Sequence, residues 1–186
     1  MTNIFANLPD VTFNLAGFDC NDIVNGCDNG LAISVWFQGC PHHCKGCHNA
    51  ETWNQDDGII YKYPEIWNLL NQNLDSNDIK RNLSILGGEP LSEWNRIATI
   101  VLITKFHEQY PDRKIFLWTG YTIEEIEKMP EFVLKGLKNV TLLITDRFEI
   151  EKRDINLKYR GSSNQRIWTP KNFLWIKYLK NITHTL

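Results

Sequence analysis

The chain has no run of about 18 consecutive apolar residues, so nothing in it reads as a membrane-spanning helix. It has no basic excess either: 20 Lys and Arg stand against 22 Asp and Glu, for a formal net charge of -2. A surface that holds a polyanion needs the opposite balance, so nucleic acid is not an expected partner. The first residues, "MTNIFANLPDVTF", lack a basic stretch followed by an apolar one, and no secretory signal is expected. The expected setting is the reducing cytoplasm, where clustered cysteines bind metal or do chemistry more often than they pair as disulfides. No internal repeat, low-complexity tract or linker rich in Pro, Gly or Ser interrupts the chain, and residues 1–186 read as one domain. With 42% apolar and 23% charged residues over 186 positions, such a domain can bury a core.

Cysteine is scarce, five in all, yet three of the five crowd into "GCPHHCKGCHN" (39–49) as Cys40, Cys44 and Cys47. One reading is a zinc knuckle, in which a histidine completes a tetrahedron with the three thiolates. Zinc sites of that kind usually draw two ligand pairs from separate short loops, whereas here every ligand sits in one loop. Another reading is a redox-sensing thiol cluster. A third is a [4Fe–4S] cluster, which normally takes four thiolates. Supplying three leaves one iron open, and an open position is what a catalytic metal keeps. Gly39 and Gly46 give the backbone the freedom such a tight wrap needs. Cys20 and Cys27 stand at a separation that fits no metal pattern and read as free thiols.

Apolar runs "LAISVWF" (31–37), "NLSIL" (82–86), "KIFLW" (114–118) and "VTLLIT" (140–145) predict strands. Helices are expected from Pro64 through "EIWNLLNQNL", over 91–110 with Ser92 as cap, and over 122–129 with Thr122 as cap. Residues 1–30, rich in Asn, Asp and Gly, are expected as extended segments and turns. Alternating strands and helices predict an α/β fold with a mostly parallel sheet. A full eight-unit barrel takes about 250 residues, so a partial (β/α) barrel of about five or six mostly parallel strands is expected. Four segments immediately follow predicted strands: the cysteine loop, "GGEP" (87–90), Thr119-Gly120-Tyr121 and Asp146-Arg147. Parallel α/β sheets bind ligands at the carboxyl ends of their strands, so these segments should meet on one rim.

The C-x3-C-x2-C spacing, paired with Gly-Gly-Glu-Pro one strand later, resembles the radical S-adenosylmethionine superfamily. Further segments are similar to the activating enzymes of anaerobic (class III) ribonucleotide reductase. They are "DIVNG" (22–26), "GCPHHCKGCHNAETW" (39–53), "FLWTGYTIEEI" (116–126) and "FEIEKRDINLKYRGSSNQRI" (148–167). The likeness covers about 20–167 and leaves 168–186 as a C-terminal tail. His48 stands where that family usually has Tyr or Phe, and an ungapped match puts Thr145 where it often has Asp.

The resemblance implies that Cys40, Cys44 and Cys47 hold the cluster. It also implies that Gly46, His48, Gly87, Gly88, Glu89 and Thr119 surround S-adenosylmethionine, which chelates the open iron. It implies a reaction: one electron cleaves the sulfonium, and the resulting 5′-deoxyadenosyl radical installs a glycyl radical on the large subunit of the anaerobic reductase. A flavodoxin-like protein is the implied electron donor, and His42 the candidate to hydrogen-bond cluster sulfur. Two other readings stay open: an activase of another glycyl-radical enzyme such as pyruvate formate-lyase, and a zinc-stabilised binding module without catalysis.

Overall fold

The computed structural model describes residues 6–26 and 30–169. Its elements are β1 (Thr12–Asp22), β2 (Ala32–Phe37), β3 (Ile59–Lys62), α1 (Tyr63–Asn73), β4 (Asn82–Gly87) and α2 (Arg96–Gln109). They continue with β5 (Ile115–Trp118), α3 (Ile123–Ile126), α4 (Glu131–Leu137), β6 (Leu142–Thr145) and β7 (Arg166–Trp168). All seven strands share one sheet in the order β3-β1-β2-β4-β5-β6-β7. The fold is mixed α/β. The four apolar runs named above form β2, β4, β5 and β6, and each pairs parallel to the next. β1, β3 and β7 flank this centre antiparallel, so the sheet has more strands than the five or six expected and a mixed margin.

Alternation along the central strands separates two faces. Val35, Ile85 and Leu117, in register across β2, β4 and β5, join the main hydrophobic core with Ile100, Val101, Ile103 and Phe106 of α2. The next residues along, Trp36, Leu86 and Trp118, point to the opposite face. One step back on that face, Ser34 and Ser84 pair across β2 and β4. Their hydroxyls pin the loop after β1: Ser34 donates to Asp22 at 2.5 Å and Ser84 to the Asn25 carbonyl at 2.7 Å. This loop is the "DIVNG" segment, and it closes one side of a cleft over the sheet.

The Thr122 cap forms as expected, in a reciprocal capping box with Glu125. The Ser92 cap does not. α2 begins four residues later, at Arg96, because the Ser92 carbonyl accepts from Asn95 and Arg96 in a turn that precedes the helix. Among the described residues no helix is long and apolar enough to cross a membrane.

Candidate active site

The four strand-end segments meet. Cys40, Cys44, Cys47 and His48 from the loop after β2, and Gly87 and Gly88 after β4, line one cleft of ≈ 450 Å³. Thr119 and Gly120 after β5, and Asp146, Arg147 and Phe148 after β6, complete the same rim. Tyr159, Arg160, Gly161 and Gln165 add a further stretch of the cleft wall.

The cysteine loop is held against its neighbours through backbone hydrogen bonds. Gly39 donates to Thr52, Cys40 to Trp53 and Cys47 to Cys44. Each of the three sulfurs in turn accepts from backbone N–H groups: Cys40 from His42 and His43, Cys44 from Phe148, and Cys47 from Asn49 at 3.4 Å. Burial pushes the Cys40 thiol up to about 11, against the opposing pull of those two N–H groups. Burial raises Cys44 as well, partly offset by the Phe148 N–H and by Arg147. Bare, these groups are neutral thiols, and a thiophilic metal would have to displace their protons.

Among the described residues, no three His, Cys, Asp or Glu side chains converge on a point where a single ion would sit. The thiols instead border a cleft, an arrangement suited to a cluster whose irons occupy separate corners. N–H donors on every sulfur suit bound cluster thiolates as well. The residues present therefore fit an iron–sulfur cluster.

Glu89 is fully buried and saturated. Its Oε1 accepts from Leu91 N–H at 2.8 Å and Thr119 Oγ1 at 2.7 Å, and its Oε2 lies 2.7 Å from Gly120 N and 3.0 Å from His42 Nε2. A carboxylate with four protein donors is a structural anchor, so any cofactor contact from this segment would come from its backbone. The His42 ring bonds Glu89 on one side and Arg147 on the other, so both of its nitrogens have partners other than sulfur. The His42 main chain supplies a sulfur contact instead. Gly120 lies against that ring: a Cβ there would stand 2.4 Å from His42 Cδ2, so no other residue fits without moving the imidazole.

The 4Fe-4S single cluster domain family matches residues 24–168 of the chain. An anaerobic ribonucleoside-triphosphate reductase-activating protein of Vibrio cholerae is 34% identical over 146 residues, 78% of this chain and 91% of that protein. The protein of the same name from Enterobacteria phage T4 is 32% identical over 154 residues, 83% of this chain and 92% of its own length. That of Escherichia coli K12 is 29% identical over 144 residues. The chain belongs to this family of activating proteins.

Within that family frame, Cys40, Cys44, Cys47, His48, Gly87, Gly88 and Thr119 line the cleft, whereas Gly46 lies in the cysteine loop beside Ile150 and Glu89 is buried. Gly46 makes the turn between Cys44 and Cys47 at φ +73°. Thr145 is buried under the rim, where it donates to Asp146 at 2.7 Å and accepts from Trp168 Nε1 at 2.9 Å.

The wall from 159 to 165 is the "YRGSSNQ" part of the family signature. It is tied to the β6 end by Asn164 donating to the Arg147 carbonyl at 2.8 Å and Gln165 to the Asp146 carbonyl at 3.1 Å. Trp118 Nε1 fixes its start through the Tyr159 carbonyl at 2.8 Å. In the sequence these residues belong to a family-like segment, and the tertiary bonds show how Tyr159, Arg160 and Gln165 become cleft wall. Cys20 lies on β1 outside the cleft, and Cys27 and the "FLWIKYL" tail segment lie outside the described residues.

Proposed function

We propose that this protein is a radical S-adenosylmethionine enzyme that activates an anaerobic ribonucleotide reductase. Cys40, Cys44 and Cys47 would hold a [4Fe–4S] cluster through three thiolates and leave one iron open for S-adenosylmethionine. With both groups bound, one electron on the cluster would split the sulfonium into methionine and a 5′-deoxyadenosyl radical, which takes a hydrogen atom from a glycine of the reductase.

The residues of the chain do the holding. The left-handed turn at Gly87 and the backbone of Gly88 let a ligand lie against the end of β4. Gly46 and His48 stand on the cysteine side for the adenine, and Thr119 on the β5 side. Trp36, Leu86 and Trp118 make an apolar floor that excludes water from a reactive carbon radical. A partial barrel with an incomplete wall suits a protein loop as substrate. A flavodoxin-like protein is the proposed electron source, and the whole chain is proposed as a single cytoplasmic domain.

One observation carries the reading: three sulfurs, each already bonded to backbone N–H groups, border the same cleft as the Gly-Gly turn and Thr119. The test is to mix air-free, iron-loaded protein, S-adenosylmethionine and a one-electron reductant with the reductase large subunit, and separately with pyruvate formate-lyase. A glycyl-radical signal by electron paramagnetic resonance only with the reductase supports the proposal. A signal only with the lyase assigns the other activase reading, and a colourless, iron-free, zinc-containing protein refutes the enzyme reading altogether.

A further inference from the structure

A carboxylate buried as completely as Glu89 has to be matched by donors. Its donors come from the loops after three different strands: His42 after β2, Leu91 after β4, and Thr119 and Gly120 after β5. The loop after β6 joins through Arg147, whose Nε lies 3.1 Å from His42 Nδ1. The rest of that guanidinium is held by Glu125 of α3, at 2.9 and 3.2 Å. One chain of bonds, Glu125–Arg147–His42–Glu89, thus ties together the four loops that follow β2, β4, β5 and β6.

The direction of these bonds is fixed by chemistry. A guanidinium N–H can only donate, so His42 Nδ1 must accept and carries no proton. The ring proton therefore sits on Nε2, aimed at Glu89. The other neutral tautomer would turn an Nε2 lone pair toward a buried carboxylate. The ring cannot swing away, because the Tyr121 ring meets it edge-on with centroids 4.6 Å apart and the Gly120 backbone closes the other side.

We propose that Arg147 is a positioning residue. It dictates the tautomer of His42, which holds Glu89, which holds the four loops in the arrangement that binds the cofactor. This rests on the reading that the cleft binds S-adenosylmethionine beside a cluster.

The experiment uses the full chain, reconstituted air-free, and measures iron per chain and the dissociation constant of S-adenosylmethionine by equilibrium dialysis. His42→Ala and Arg147→Ala should each weaken binding about tenfold with iron content unchanged, the range seen when partners behind a ligand are removed. The double variant should be no weaker than either single one, because both break the same chain. His42→Gln, whose amide offers N–H toward Glu89 and a carbonyl toward Arg147, should stay within about twofold of wild type. Arg147→Lys keeps the charge but lacks the fork that reaches Glu125 and His42 together, and should match Arg147→Ala.

If Arg147→Ala binds as tightly as wild type, the inference is wrong. It is equally wrong if the double variant shows the product of the two single losses, about a hundredfold, since each residue then acts alone. A His42→Gln variant as weak as His42→Ala also overturns it, and that comparison with Arg147→Ala decides the matter should His42→Ala not fold. Wild-type protein that binds no S-adenosylmethionine sinks the function reading and the inference together, whereas wild-type binding with an indifferent Arg147→Ala sinks the inference alone.

Discussion

Replacing Gly87 by alanine is a sharp test of how the cleft is built. Gly87 ends β4 opposite Phe37 of β2, at φ +107°. A Cβ there would stand 2.4 Å from the Phe37 carbonyl oxygen, 2.5 Å from the Phe37 nitrogen and 2.9 Å from the Trp36 carbonyl carbon. All three are main-chain atoms of a central strand that is paired on both sides, so none can give way as a side-chain tip would. The conformation alone costs a non-glycine residue about 1–3 kcal/mol, and forcing atoms into a filled space adds about 1–3 kcal/mol. The expected loss is therefore about 4 kcal/mol, which for a chain of this size lowers Tm by about 8–16 °C. Urea and thermal unfolding, followed by tryptophan fluorescence on wild type and variant prepared alike, measures it. Gly17→Ala on β1 is the control: a Cβ there meets nothing within 4 Å, and a change below about 0.5 kcal/mol is expected. A Gly87→Ala protein within about 1 kcal/mol of wild type would refute the packing argument.

Further outcomes follow from the same geometry. For Asp22, burial raises the carboxyl, but hydrogen bonds from Asn25, Ser34 and Val24 outweigh it and hold the group below its ordinary value. Stability from a depressed carboxyl is present above the unfolded value near 3.9 and lost as pH falls through the lower folded one. The stability gap between wild type and Asp22→Asn should accordingly stay constant above about pH 5 and shrink below about pH 4, as read by urea midpoints across pH. Because burial lifts the Cys40 and Cys44 thiols, iron loading releases protons and should strengthen from about pH 7 to about pH 9 in titrations with a competing chelator. Cys20→Ser should leave iron and sulfide per chain unchanged, since Cys20 lies on β1 outside the cleft.

The central sheet was legible because parallel strands buried on both faces write themselves as apolar runs. Ile33, Leu83 and Ile115 sit in such runs and all end in the core. Convergence of the four loops followed from that topology alone. The flanking strands were not legible. β1 carries "TFNLAGFDCND", in which only Phe13 and Leu15 reach the core, and its register slips near Gly17 and again before Asp22. β3 owes its existence to pairing with β1, since Ile59 and Ile60 stay exposed. α4 follows Pro130 and lacks the side-chain cap that Thr122 gives α3, so no start signal announced it. At the site, residue types announced the cysteines and the Gly-Gly turn, but the sequence is silent on which way a side chain faces. The buried side chain of Glu89 with its four donors, and the bridge that His42 makes between Glu89 and Arg147, were therefore not legible. Those bonds join residues 47 and 105 positions apart, which no local pattern records.

The most direct test of the account is cofactor cleavage with a matched cysteine variant. Wild-type protein, reconstituted with iron and sulfide without oxygen and then reduced, should release 5′-deoxyadenosine from S-adenosylmethionine, while Cys44→Ala prepared alongside releases none. Equal release from both proteins, or none from a wild type carrying a full complement of iron, would contradict the three-thiolate site.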